Sequence, residues 1–301
     1  MPALIWFCLF IGLAQAKQTK HTVKKSPDQW SFVFAWTDAA GKRHKAAFQL
    51  DADLIKQDIE EPLRFQRRKA AEYQAKKVRQ WGKKQKGVKI GAKAQKGRVV
   101  ITASGKPGAV KEGLKGAKRV RDKALSDYMD EYGYTYYRPP FRLRKGIVPD
   151  YLRHVEEYSD DLMPVVEALG GPTKNPRVFA GKALSFSQNI PYEMRALKSD
   201  RYRRPLSVIG RNKGDCDSKT VLFLSLMHAA YPGMDLGVVY VRKHAFGAIA
   251  LEPRRGETRF RNGGQVWVGV EPVGPAVAPV GKLGWKSKLK LKTFRYRLKT
   301  L

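Results

Sequence analysis

The residues in this chain best suited to covalent chemistry begin at Cys216, in the stretch Gly214-Asp215-Cys216-Asp217-Ser218-Lys219. Behind it come Thr220, Leu222, Phe223, Leu224, Leu226 and Met227, the pattern of a largely buried helix. Gly214 frees the backbone for a sharp turn and Asp215 is a good N-cap, so Cys216 falls in the first helical turn. Unpaired N–H groups and the positive end of the helix dipole favour thiolate over thiol there. A thiolate attacks carbonyl carbon, and the same N–H groups would stabilise the resulting oxyanion.

A cysteine nucleophile needs a base, and the chain has five histidines. His228 is on the same predicted helix, about 18 Å from Cys216 at ~1.5 Å per residue, and cannot be the partner. His21 and His44 lie in the N-terminal region, and His154 fits a surface position on an amphipathic helix. His244 stands between an apolar strand over 236–241 and a second over 245–251, where hairpin geometry can bring its imidazole to the helix start. A third group must orient that imidazole. Residues 265–270 read as the next strand and end at Glu271-Pro272, which puts a carboxylate one strand over from His244. Glu252 is the nearest competitor, but Pro253-Arg254-Arg255-Gly256 marks it as a strand end beside a solvated turn.

Three segments in this order, Gly214-Asp215-Cys216 with its helix, His244-Ala245-Phe246 and Val270-Glu271-Pro272, resemble the transglutaminase-like superfamily of papain-type cysteine enzymes. Upstream, Phe186-Ser187-Gln188-Asn189-Ile190-Pro191-Tyr192 is similar to the helix-to-loop segment these proteins carry before the nucleophile. The resemblance covers roughly residues 140 to 275. It implies an α+β fold with the Cys216 helix packed on an antiparallel sheet, Cys216 as nucleophile, His244 as general acid–base and Glu271 as orienter. The third member is more often Asp in this family, so the extra methylene of Glu must be absorbed by strand register or imidazole position. Gln188 is a candidate second oxyanion donor, or else a cap on its own loop. The activity implied is a thiol peptidase or amidase working through a thioester on a protein or peptide substrate. The alternatives are a protein-glutamine transglutaminase and a non-catalytic, polyanion-binding scaffold.

The elements around this constellation are unusual in charge. Of 301 residues, 59 are Lys or Arg against 27 Asp or Glu, a formal net of +32. Such a field attracts polyanions, and an anionic envelope surface or polymer is the expected partner. Residues 3–13 are almost wholly apolar and Ala14-Gln15-Ala16 fits a small-x-small cleavage pattern, so residues 1–16 read as a signal peptide and the protein as periplasmic or secreted. That run is short of the ~20 residues of a membrane span, and no later one is long enough. Removal of the leader takes Cys8 with it and leaves Cys216 as the one thiol. Export also disfavours a nucleic-acid partner. Metal and cofactor chemistry is not expected, since there is no paired cysteine spacing, no His-x-x-x-His and no Gly-rich phosphate loop.

The expected organisation is a signal peptide over 1–16, an N-terminal hairpin and basic helical or linker region over 17–138, a catalytic domain over 139–280, and a basic tail over 281–301. Residues 28–50 read as a hairpin, and residues 83–123 either as a poorly packed, solvated basic arm around the strand Val99-Val100-Ile101 or as a Lys-rich helix covering the surface of the next domain. The helical pattern over 148–169 should be kinked or split by Pro164.

Overall fold

The computed structural model describes residues 17–60, 65–138, 145–193, 202–242, 244–274, 277–293 and 296–301. They form an α+β structure whose sheets are antiparallel. The expected leader over 1–16 lies outside the described residues. None of the described helices is long and apolar enough to cross a membrane.

Strands β1 (Lys17–Lys25), β2 (Gln29–Thr37) and β3 (Arg43–Asp51) make a sheet in chain order. The period-2 pattern of β2 buries Trp30, Phe32, Phe34 and Trp36 on one face, where Phe48 and Leu50 of β3 join them. The expected hairpin is present as β2–β3, its turn held by Asp38 Oδ1, which accepts from the N–H groups of Ala40 and Lys42 at 2.9 Å each. The edge strand β1 is lysine-rich, a composition that discourages further edge pairing. Helix α1 (Ala52–Glu60) follows, with Asp51 Oδ1 accepting from the N–H groups of Asp53 and Leu54.

The Lys-, Gly- and Ala-rich segment is not a solvated arm. It folds as α2 (Arg67–Gly82), β4 (Val88–Gln95), β5 (Arg98–Gly105) and α3 (Pro107–Glu131), then the short pair β6 (Tyr134–Tyr137) and β7 (Gly146–Pro149). Ala75, Val78, Ile90, Ala92 and Ala117 are its core, edged by Trp81, Val99, Ile101 and Val120. Small residues allow the helices to lie close: a Cβ at Gly116 would come 2.5 Å from the Trp81 ring, and one at Gly82 would come 2.8 Å from Ile90 Cβ. The expectation failed because a core built from alanine and glycine gives little hydrophobic signal. Among the described residues, those at 65–138 and 145–150 form one compact unit, and those at 17–60 and from 151 onwards form the other. The N-terminal sheet therefore groups with the region after residue 151, a division that differs from the expected boundary at 138.

In the larger unit, α4 (Tyr151–Glu157) and α5 (Met163–Ala168) are separate helices, with Pro164 in the first turn of the second. Helix α6 (Pro176–Asn189) lies on the N-terminal sheet: Phe186 meets Phe34 edge-on at 5.1 Å, and Trp36 Nε1 donates to Ser185 Oγ at 2.8 Å. After α7 (Pro205–Arg211) comes α8 (Cys216–Ala230), buried without a break from Ser218 to Met227. Strands β8 (Leu236–Val241), β9 (His244–Ile249), β10 (Arg259–Asn262) and β11 (Gln265–Val270) follow. The expected basic tail is instead α9 (Trp285–Thr293) and β12 (Arg297–Thr300), which completes a sheet of order β10-β11-β9-β8-β12.

This five-stranded sheet is covered on both faces. Gly247 of β9 approaches Phe223 and Leu224 of α8. On the other face Val239, Val241, Phe246, Ala248, Trp267 and Leu283 form a core, with Leu291 of α9 and Leu298 of β12 against it. The register Gly247↔Val270 brings the start of β9 and the end of β11 to the same end of the sheet.

Candidate active site

Asp215 caps α8, its Oδ1 accepting from the Ser218 N–H at 3.0 Å and from the Ser218 hydroxyl at 2.5 Å. A cap of this kind contributes about 1 kcal/mol. Gly214 supplies space rather than the conformational freedom expected of it. It is not among the positive-φ glycines, yet a Cβ there would meet Lys219 Cγ at 3.1 Å and Val208 Cγ1 at 3.3 Å. Its N–H donates to Pro191 O at 3.3 Å and its carbonyl accepts from Glu193 N at 3.0 Å, which stitches the segment after α6 to the start of α8.

Cys216 is half-buried in the first turn. Its thiol donates to Asp217 Oδ1 at 3.4 Å, and Asp217 Oδ2 accepts from Tyr151 OH at 2.9 Å. The Ala245 N–H, at the start of β9, favours the thiolate form of the same sulfur. Burial above all, then the carboxylates of Asp217 and Asp215, push the thiol pKa up. The resting thiolate expected from the helix terminus is therefore not what this environment favours. About half a unit of positive charge at a helix end does not offset burial and two adjacent carboxylates. Burial also pushes the Asp217 carboxyl up, with Asp215 adding to it, while His244 acts in the opposite sense.

His244 Nε2 lies 3.0 Å from Glu271 Oε1, and both side chains are largely buried. With the carboxylate accepting from Nε2–H, Nδ1 is left to carry the lone pair of a base. The alternation along β9 and β11 explains the meeting. His244 shares a face with Phe246 and Ala248, and Glu271 shares that same face with Trp267 and Gly269, which packs on Leu283. Glu252 is exposed, and its backbone carbonyl accepts from the Arg177 guanidinium.

Three residues that the sequence left out of the site, or placed differently in it, hold this arrangement. Gln188 Nε2 donates to Glu271 O at 2.8 Å and Ala278 O at 2.9 Å, while its Oε1 accepts from Ala278 N at 3.3 Å. Both amide hydrogens are thus spent on carbonyls, and Gln188 fixes the backbone at Glu271 rather than offering a donor to an oxyanion. Lys219, fully buried one turn beyond Cys216, donates from Nζ to Ile190 O at 2.6 Å and Gln188 O at 3.2 Å. Burial pulls its pKa down to about 7, with Glu271 opposing. A lysine inside an apolar helical run was the signal that could have flagged it. Ser287 of α9 donates its hydroxyl to Glu271 Oε2, and no local sequence signal marks it.

The other histidines are occupied elsewhere. His154 is buried, not on the surface as expected, and stacks on Tyr202 at 5.5 Å with Nδ1 3.2 Å from Glu157 Oε2. His44 pairs with Asp38 at 2.7 Å, His21 packs on Phe34 at 4.8 Å, and His228 is in the last turn of α8. Among the described residues no group of three His, Cys, Asp or Glu could hold a metal ion. Comparison with protein-family models, with curated proteins and with solved structures finds no match for this chain.

Proposed function

We propose that this protein is a thiol hydrolase, a cysteine peptidase or amidase with a papain- or transglutaminase-like core, acting through Cys216, His244 and Glu271. The observation that carries the reading is the 3.0 Å His244–Glu271 bond, next in the chain to Ala245, whose N–H acts on the Cys216 thiol. An imidazole oriented by a carboxylate and a half-buried thiol in the first turn of a helix are the elements that nucleophilic catalysis needs.

In this reading Cys216 rests as the thiol, as its burial and the neighbouring carboxylates favour. Nδ1 of His244 takes the thiol proton as sulfur bonds to the substrate carbonyl carbon. The tetrahedral oxyanion is met by N–H groups of the first turn of α8. As it collapses, His244 returns the proton to the departing amine, leaving a thioester on Cys216. Water, deprotonated by His244, then releases the acid and regenerates the thiol. Glu271 steadies the imidazolium in both steps; Ser287, Gln188 and Lys219 position Glu271 and the loop behind it. The expected setting is periplasmic or secreted.

A second reading, a polyanion-binding scaffold, has its own support. Residues 73–111 contain 12 Lys or Arg and no Asp or Glu, on an ordered pair of helices and a hairpin. The test is mass spectrometry of the protein incubated with a peptide mixture. A thioester adduct on Cys216, absent in Cys216→Ala and His244→Ala, is the expected result. Incorporation of a dansylated primary amine in preference to hydrolysis would move the assignment to transglutaminase. No adduct and no turnover would leave the scaffold reading.

A further inference from the structure

Helix α9 reads Trp-Lys-Ser-Lys-Leu-Lys-Leu-Lys-Thr. At about 100° per residue, Trp285 and Leu289 share one stripe and Ser287 and Leu291 the opposite one. Lys288 and Lys292 flank the first stripe on one side, Lys286 and Lys290 on the other. The inner stripe is accounted for: Ser287 is bonded to Glu271 and Leu291 packs on the core of the sheet. The outer stripe has no such partner. Trp285 is 68% exposed and Leu289 53%, the two most exposed large apolar side chains among the described residues, one turn apart on one helix.

We propose that the outer stripe of α9 docks on an anionic phospholipid surface. Trp285 and Leu289 enter the boundary between headgroups and acyl chains, where tryptophan is favoured, and the flanking lysines meet lipid phosphates. Charge complementarity selects this occupant. The chain contains no Asp or Glu after Glu271, and four of the nine residues of α9 are lysines, Lys286, Lys288, Lys290 and Lys292. A phosphate polymer such as nucleic acid would use the lysines but leave Trp285 and Leu289 unburied. The helix is about 10 Å across, so docking would set the His244–Glu271 pair within roughly that distance of the lipid headgroups. The inference stands apart from the hydrolase reading, since it needs neither Cys216 nor turnover.

The experiment is flotation of the full chain with vesicles of phosphatidylcholine, with and without phosphatidylglycerol. Wild type should float with the phosphatidylglycerol vesicles only, and less so at high salt. The double variant Trp285→Ser/Leu289→Ser should lose at least about tenfold in partition. Both positions face solvent, and circular dichroism checks that the variant is folded. Cys216→Ala should float as wild type does, which separates this test from the catalytic one. Equal flotation of the double variant and wild type would overturn the proposal. So would binding to heparin or duplex DNA with no binding to anionic vesicles, which would assign the lysines to a polymer.

Discussion

Lys219→Met should change how stability depends on pH, by an amount the structure sets. Lys219 holds its proton up to pH 10.5 in the unfolded chain but only to about 7 in the folded one, because burial disfavours the ammonium. Between those values the unfolded state binds the extra proton, so stability rises with pH across the window. Below pH 7 both states are protonated and the full penalty is present; above 10.5 both are neutral and it vanishes. At about 1.36 kcal/mol per pH unit the span is about 4–5 kcal/mol. A neutral amine suits this site: it can give one N–H each to the carbonyls of Ile190 and Gln188. Methionine fills a similar volume and cannot titrate, so the variant should lose that slope while keeping a constant deficit from the two orphaned carbonyls. Urea denaturation of both proteins from pH 6.5 to 10.5 measures the difference directly, since the other basic groups cancel. Parallel curves for wild type and variant would refute the reasoning.

Asp217→Asn removes one of the charges that push the Cys216 thiol up while keeping an acceptor for Tyr151. The thiol pKa should fall and alkylation near pH 8 should quicken; an unchanged or slower rate would count against that electrostatic assignment. Ser287→Ala strands a buried oxygen of Glu271. A loss of about 1.5–3 kcal/mol is expected in urea denaturation, with partial rescue by Ser287→Thr.

Much of the candidate site was legible because its signals are local. Asp215 marks a cap, and β8 and β11 are apolar runs bounded by turn residues, Gly263-Gly264 among them with both φ values positive. The spacing of Cys216, His244 and Glu271 then follows from one helix and a hairpin-built sheet. The supports were harder to read. Lys219 reads in the sequence as a surface residue, and only the tertiary structure shows it spending its N–H groups on two carbonyls. Ser287 lies in a lysine-alternating segment whose apparent period of two suggests neither a helix nor a docking face. The basic unit hid its core because alanine and glycine pack helices closely without looking hydrophobic, and β1 hid because an edge strand needs little apolar surface.

The central claim is that His244, steered by Glu271, serves the Cys216 thiol. The measurement is the rate of Cys216 alkylation by limiting iodoacetamide across pH for wild type, His244→Ala and Glu271→Gln. Near pH 7 wild type should react roughly a hundredfold faster than His244→Ala, with Glu271→Gln between them. Superimposable pH–rate profiles for all three would contradict the claim and leave Cys216 an ordinary half-buried thiol.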